Sequence, residues 1–461
     1  MAGAGVINNL IIFCAVFFNA VVVLYSLVDL LSVKISECGY AAGFKLRGLS
    51  FSLGKGSVLL VTGKSSSGKT TLLRAITGTI ELAGGFVNGR VLIEGRDISE
   101  LKPGDIYRSV VYLPQEPWYA FVGHTVYVEI CHSLSQMGVN CVEADFAPLG
   151  ISRLVNRLTH TLSPGEMQRV LFLEATLREA KLVVLDSPFT YLDEEAKKTV
   201  KHFVKTLVDA EAGAIIADCD PLRWEFVEPF MVVLDGGGVR YVGKWSRQVA
   251  EELAPSRLGK RGEVVAKRPE KDVFARFKNV QYKYPRGEVA VKGFTDTFHR
   301  GVLTCICGPN GSGKTTLLKL GAGLLKPSAG SIERYGSAIY IPENTLSYLP
   351  VRTPCEGLLA LAHNDENKVL EVFEVLRIKH VLDRPFVKLS PSERRKVAIA
   401  TTYLLDLDGY FIDMPSDGLD DESANAVLHL LQVLLERGKA VIIATHDERA
   451  VNAADEIIKL P

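Results

Sequence analysis

The chain has no surplus of charge in either direction. Lys plus Arg and Asp plus Glu number 53 each among 461 residues, so no summed basic field draws DNA or RNA, and nucleic acid is not expected as a partner. The eight cysteines form no C-x-x-C pair and no evenly spaced framework. That argues against zinc and against a disulfide scaffold, and for reduced thiols in a cytosolic compartment. Cys305 and Cys307 alternate along an expected strand and read as two small apolar residues of one face. A long coiled-coil insertion and a basic arm are absent as well.

Basic residues are also missing ahead of the N-terminal apolar run. LIIFCAVFFNAVVVLYSLVDLL, Leu10 to Leu31, is long enough to cross a bilayer core and is interrupted mainly by Asn19, Ser26 and Asp29. With no Lys or Arg before it, it makes a poor secretory signal. Lys34 follows it, which by the positive-inside rule leaves the rest of the chain in the cytoplasm. A start codon placed too far upstream and a helix packed on protein are alternatives to a spanning helix, since Asp29 is costly in lipid away from the interface. The remaining chain, with 47% hydrophobic content overall, suffices for two ordinary domains.

What is present is said twice. GKSSSGKTTLLRAITG at Gly63 to Gly78 recurs as GPNGSGKTTLLKLGAG at Gly308 to Gly323, and both fit G-x-x-x-x-G-K-[ST] between an apolar run and a helix-like segment. The first loop comprises Gly63, Lys64, Ser65, Ser66, Ser67, Gly68, Lys69, Thr70 and Thr71. The second comprises Gly308, Pro309, Asn310, Gly311, Ser312, Gly313, Lys314, Thr315 and Thr316. Glycines let backbone N–H groups converge on phosphate oxygens, the helix N-terminus adds its dipole, and Lys69 or Lys314 neutralises the terminal phosphates. Thr70 and Thr315 are placed to ligate Mg²⁺.

Further motifs follow in the same order. VVYLPQEP aligns with AIYIPENT, setting Gln115 opposite Glu343; LSPGEMQRV aligns with LSPSERRKV; KLVVLDSPFTYLD aligns with DGYFIDMPSDGLD, pairing Asp186 with Asp413 and Ser187 with Met414; AIIADCD aligns with VIIATHD, setting Cys219 opposite His446. This order resembles the nucleotide-binding domains of the ABC ATPase superfamily, over nearly the whole chain after Val33. The resemblance implies tandem α/β domains of the P-loop NTPase type, each with a mainly parallel sheet and a helical subdomain carrying the signature. They would occupy residues 33–254 and 273–461, joined by a charged linker, 255–272, with 1–32 as a separate hydrophobic segment.

The resemblance further implies an intramolecular pseudo-dimer in which each ATP lies between the phosphate loop of one half and the signature of the other. Adenine would stack on Tyr40 and Tyr284. The first site would combine Lys69, Thr70, Gln115 and Asp186 with Ser390 of the opposing signature. The second would combine Lys314, Thr315, Glu343, Asp413 and His446 with Ser163 and Gly165. Mg²⁺ would be held by Thr70, Gln115 and Asp186, and by Thr315 and Asp413. Both signatures depart from the family pattern, with Pro164 and Pro391 at the first glycine and Ser392 at the second.

Family members place a glutamate after the strand-end Asp to orient the attacking water. Ser187 and Met414 stand there instead, which implies slow hydrolysis and two unequal sites. The first, lacking the switch histidine as well, reads as a holding site; in the second, His446 remains and Glu343 offers a carboxylate. QEPWYAFVGHTVYVEI, Gln115 to Ile130, resembles the segment after the glutamine loop of energy-coupling-factor ATPases. That resemblance implies a micronutrient importer subunit at the cytoplasmic face of the cell membrane, docked to integral membrane partners. The competing reading is a soluble ABC ATPase acting as a nucleotide-dependent switch.

Overall fold

The computed structural model describes residues 29–41, 43–141, 144–254, 272–285, 289–349 and 351–461. Five-residue apolar runs dictate the centre of each half. Val58–Thr62, Leu182–Asp186 and Gly213–Ala217 in the first, and Gly409–Asp413 and Ala440–Ala444 in the second, are buried at every position. Strands with no solvent face belong in a sheet covered on both sides, which favours parallel pairing. The first half accordingly orders Gly238–Lys244, Phe230–Asp235, Val58–Thr62, Gly213–Ala217, Leu182–Asp186 and Val110–Leu113 in one sheet, parallel except for the hairpin edge strand Gly238–Lys244. The second half orders Ala338–Ile341, Gly409–Asp413, Ala440–Ala444, Leu303–Cys307 and Glu456–Lys459, all parallel.

An antiparallel sheet covers each parallel one. In the first half Leu31–Tyr40 pairs with Lys45–Leu53 and Gly85–Ile93; in the second, Val273–Lys283 pairs with Val289–His299 and Ala329–Arg334. Their inward residues alternate with polar outward ones, as a half-buried sheet requires. A helical subdomain completes each half. In the first its core is Val126, Ile130, Leu134, Ile151, Met167, Val170 and Leu173.

The described part of the N-terminal run does not continue a helix. Leu31 opens a strand, and Leu30 and Leu31 are buried in the core of the first half, so that half begins upstream of Val33. The rest of the run lies outside the described residues, among which no helix is long and apolar enough to cross a membrane.

The cysteine expectation is corrected. Cys131, on the helix Val126–Ser135, and Cys141 form a disulfide with Cα atoms 5.0 Å apart. The helix ends in a tight turn, Gly138 N donating to Ser135 O and Val139 N to Leu134 O, and this returns the chain to its own side. Sequence spacing carries no sign of such a reversal.

Candidate functional site

Both glycine-rich loops leave the ends of their strands, Val58–Thr62 and Leu303–Cys307, and enter the helices Lys69–Ile76 and Lys314–Ala322. Gly68 and Gly313 cap these helices in the left-handed region, φ 102° and 94°. A Cβ at Gly313 would stand 2.3 Å from Ala290 O, so no other residue fits there. Each lysine folds over its loop. Lys69 Nζ donates to Gly63 O and Lys64 O, both at 2.8 Å; Lys314 Nζ donates to Gly308 O at 2.8 Å and Pro309 O at 2.9 Å. Ser67 Oγ and Ser312 Oγ are buried without a partner.

The strand-end carboxylates meet the loops. Thr70 Oγ1 donates to Asp186 Oδ2 at 2.7 Å and Thr315 Oγ1 to Asp413 Oδ2 at 2.6 Å; Tyr112 and Tyr340 each add a hydroxyl on the same oxygen, at 3.1 Å. Asp413 Oδ1 is buried with no partner. An unsatisfied carboxylate oxygen beside a threonine hydroxyl suits a hard divalent cation completed by phosphate oxygens. Ser187 and Met414, next along the chain, adopt φ of 50° and 49°. Both are pinned there by backbone bonds, Ser187 N to Ala217 O and Met414 N to Ala444 O, each 2.8 Å. Met414 is buried and Ser187 Oγ only approaches Asp186 Oδ1, at 3.4 Å.

Glu343 is not a solvated loop residue. Its Oε1 is buried without a partner. Burial first, then the neighbouring Asp413 carboxylate, raises its pKa to about 8, with Arg395 and Lys314 opposing. His446 is pushed the other way, to about 4, by burial and then by Lys314. Its neutral ring lies 3.1 Å from Asn310 Oδ1, so Nε2 carries the proton and Nδ1 is left as an acceptor. In the first half Cys219 holds this place, its thiol pushed up to about 11 by burial and then by Asp218. A neutral thiol is no substitute for an imidazole. Tyr40 accepts from Arg74 Nη1 at 3.1 Å, and Tyr284 hydrogen-bonds Thr316 Oγ1 at 3.1 Å, so each ring is held beside its loop.

The serines of both signatures cap helices. Ser163 and Ser390 form capping boxes with Glu166 and Glu393 at the starts of Pro164–Leu177 and Pro391–Leu404. The prolines that replace glycine therefore sit at the first helical position, where the missing N–H costs nothing. Each cap hydroxyl accepts from its glutamate's N–H and keeps its own proton to donate.

The halves clasp head to tail. A Cβ at Gly165 would stand 3.7 Å from Asn310 Nδ2, which brings the first signature to the second phosphate loop. Asn310 N donates to Asp193 Oδ2 at 2.8 Å; Ser65 N donates to Asp420 Oδ2, and Asp420 N returns to Ser65 Oγ at 3.2 Å. Pro391 and Ser392 share a small cavity with Gln115 and Tyr191. Asp193 and Asp420 went unassigned in the sequence, although both end the repeated stretches TYLD and DGLD. Glu116, Arg394 and Arg395 were missed too, and no local signal marks them.

The family model described as "ABC transporter" matches residues 46–190 and 291–417, more than half of the chain. A Methanosarcina acetivorans protein provisionally named an ABC transporter ATP-binding protein is 27% identical, over 90% of this chain and 84% of its own. A Bacillus subtilis protein provisionally named an HMP/thiamine import ATP-binding protein is 24% identical, over 94% of this chain and 90% of its own. Among solved structures, a chain from ribosome-bound archaeal Pelota and ABCE1 superposes with a TM-score of 0.68 at 23% identity, covering 92% of this chain and 76% of that one. The RNase-L inhibitor superposes with a TM-score of 0.59 at 21% identity, over 92% and 88%. These structural likenesses concern the fold alone. With two P-loops, two signatures and a head-to-tail clasp, the chain belongs to the ABC transporter family of ATP-binding proteins, as a tandem of two ABC ATPase domains.

Proposed function

We propose that the chain is the energy-coupling subunit of a membrane transporter, a micronutrient importer of the energy-coupling type, working at the cytoplasmic face. One observation carries this reading. Just after Gln115, Tyr119, Val122, Tyr127 and Val128 expose between 42% and 77% of their surface. Large apolar side chains kept in water beside a nucleotide loop call for a partner, and here that partner is an integral membrane subunit. The name of the Bacillus subtilis relative, an import ATP-binding protein, supports the same reading.

The two sites differ in task. The first, with Ser187 and Cys219 where base and switch would stand, holds ATP and helps to keep the halves closed. The second turns ATP over slowly: Glu343 takes the proton of the attacking water, and His446 orients the γ-phosphate by exchanging its Nε2–H bond to Asn310 Oδ1 for one to a phosphate oxygen. Mg²⁺ would be held by Thr70, Asp186 and Gln115 in the first site and by Thr315 and Asp413 in the second, where it would neutralise phosphate charge.

Affinity capture from detergent-solubilised membranes tests the assignment. Integral membrane subunits should co-purify, and a Val128→Glu chain should lose them while binding ATP as before. Recovery of a ribosomal or DNA-repair complex instead would overturn it.

A further inference from the structure

The helix Pro391–Leu404 touches both ATP sites. Ser390 at its cap belongs to the first. One turn along, two adjacent arginines point in different directions. Arg394 Nη2 donates to Glu116 Oε2 of the other half, the residue after Gln115, and its Nη1 to Leu389 O at 2.6 Å. The two side chains are only 7% and 6% exposed. Arg395 Nη1 donates to Pro342 O at 2.8 Å and Asp413 O at 3.1 Å, and its Nη2 to Glu343 O. One guanidinium thus holds the glutamine loop of the first site, and the next holds the corresponding loop and the strand-end aspartate of the second.

The first half has no such device. At the corresponding places it carries Met167, packed in an apolar core, and Gln168, which donates to Pro188 O at 3.0 Å. A buried guanidinium bound to a carboxylate or to three carbonyls cannot slide freely, because each lost bond would leave a desolvated charge. The helix therefore moves with both loops or with neither.

We propose that Arg394 and Arg395 are positioning residues that couple nucleotide occupancy of the first site to the placement of Glu343 and Asp413 in the second. This rests on the two-site reading above, not on which site hydrolyses. Coupling of binding is reciprocal, so the same factor must appear from either side.

The test is calorimetric titration of the full chain with Mg²⁺ and a non-hydrolysable ATP analogue. K69A isolates the second site and K314A the first. In the unaltered chain, binding to one site should strengthen the other by about tenfold relative to these isolated affinities. In R395Q and in E116Q/R394M, each combined with the same lysine substitutions, the factor should fall to within about twofold of unity. The double change removes both charges together, so no buried ion is stranded, and R394K should restore part of the factor. An unaltered chain without coupling, or variants that keep it, would overturn the proposal. ATPase measured in parallel separates the readings: absent turnover with coupling intact refutes only the hydrolytic role of the second site.

Discussion

Glu343 and His446 flank the second site with pKa values displaced in opposite senses, and each displacement has a consequence for pH. Glu343, raised from 4.5 to about 8, contributes stability that is full below pH 4.5 and is lost as pH rises through 8. His446, lowered from 6.5 to about 4, contributes stability that is present above pH 6.5 and is lost as pH falls through 4. A base must be ionised to work, so turnover should climb as pH approaches 8. Glu343→Gln should lower kcat by about a hundredfold or more and flatten that climb, with ATP affinity little changed. A pH–rate profile of both chains measures this, and superimposable profiles would remove Glu343 from the chemistry.

At the scale of elements, the signature helices show how a departure from the family pattern is absorbed. Pro164 and Pro391 stand where helices accept proline, and the S-P-x-E run builds a capping box in each half. Such a cap is worth about 1 kcal/mol. The disulfide acts on the neighbouring helix Val126–Ser135, closing a loop between Cys131 and Cys141 with a sequence separation of 10. Constraint of the unfolded chain by a loop of this size predicts a loss of about 2 to 3 kcal/mol on reduction. Urea titration with and without reductant, and of a Cys141→Ser chain, should give the same loss; a reduced chain as stable as the oxidised one would contradict it.

For the whole molecule the asymmetry between halves is decisive. Lys314 serves the site that keeps His446 and a buried carboxylate, whereas Lys69 serves the one with Cys219 and Ser187. Lys314→Ala should abolish turnover, while Lys69→Ala should leave a reduced but measurable rate. A phosphate-release assay on the two chains decides, and the reverse order of effects would exchange the roles of the sites. The buried Glu116–Arg394 pair ties the halves together. Removing Arg394 alone would strand a desolvated carboxylate, at a cost of about 3 to 5 kcal/mol.

The sequence by itself determined what depends on near neighbours: the glycine loops, because only glycine takes the left-handed turn at Gly68 and Gly313; the buried strands ending at Asp186 and Asp413, because unbroken apolar runs have no solvent face; and the helix starts at Ser163 and Ser390, because caps are short-range. It also showed the missing glutamates. Tertiary structure alone decided which distant groups meet. Asp193 reaches Asn310 across 117 positions, Asp420 reaches Ser65 across 355 and Arg395 reaches Glu343 O across 52. Leu30 is buried and Leu31 enters a strand, and Cys131 finds Cys141, for the same reason. Burial and contact across an interface are set by how two folded halves rotate against each other, and no local spacing in the chain encodes that rotation.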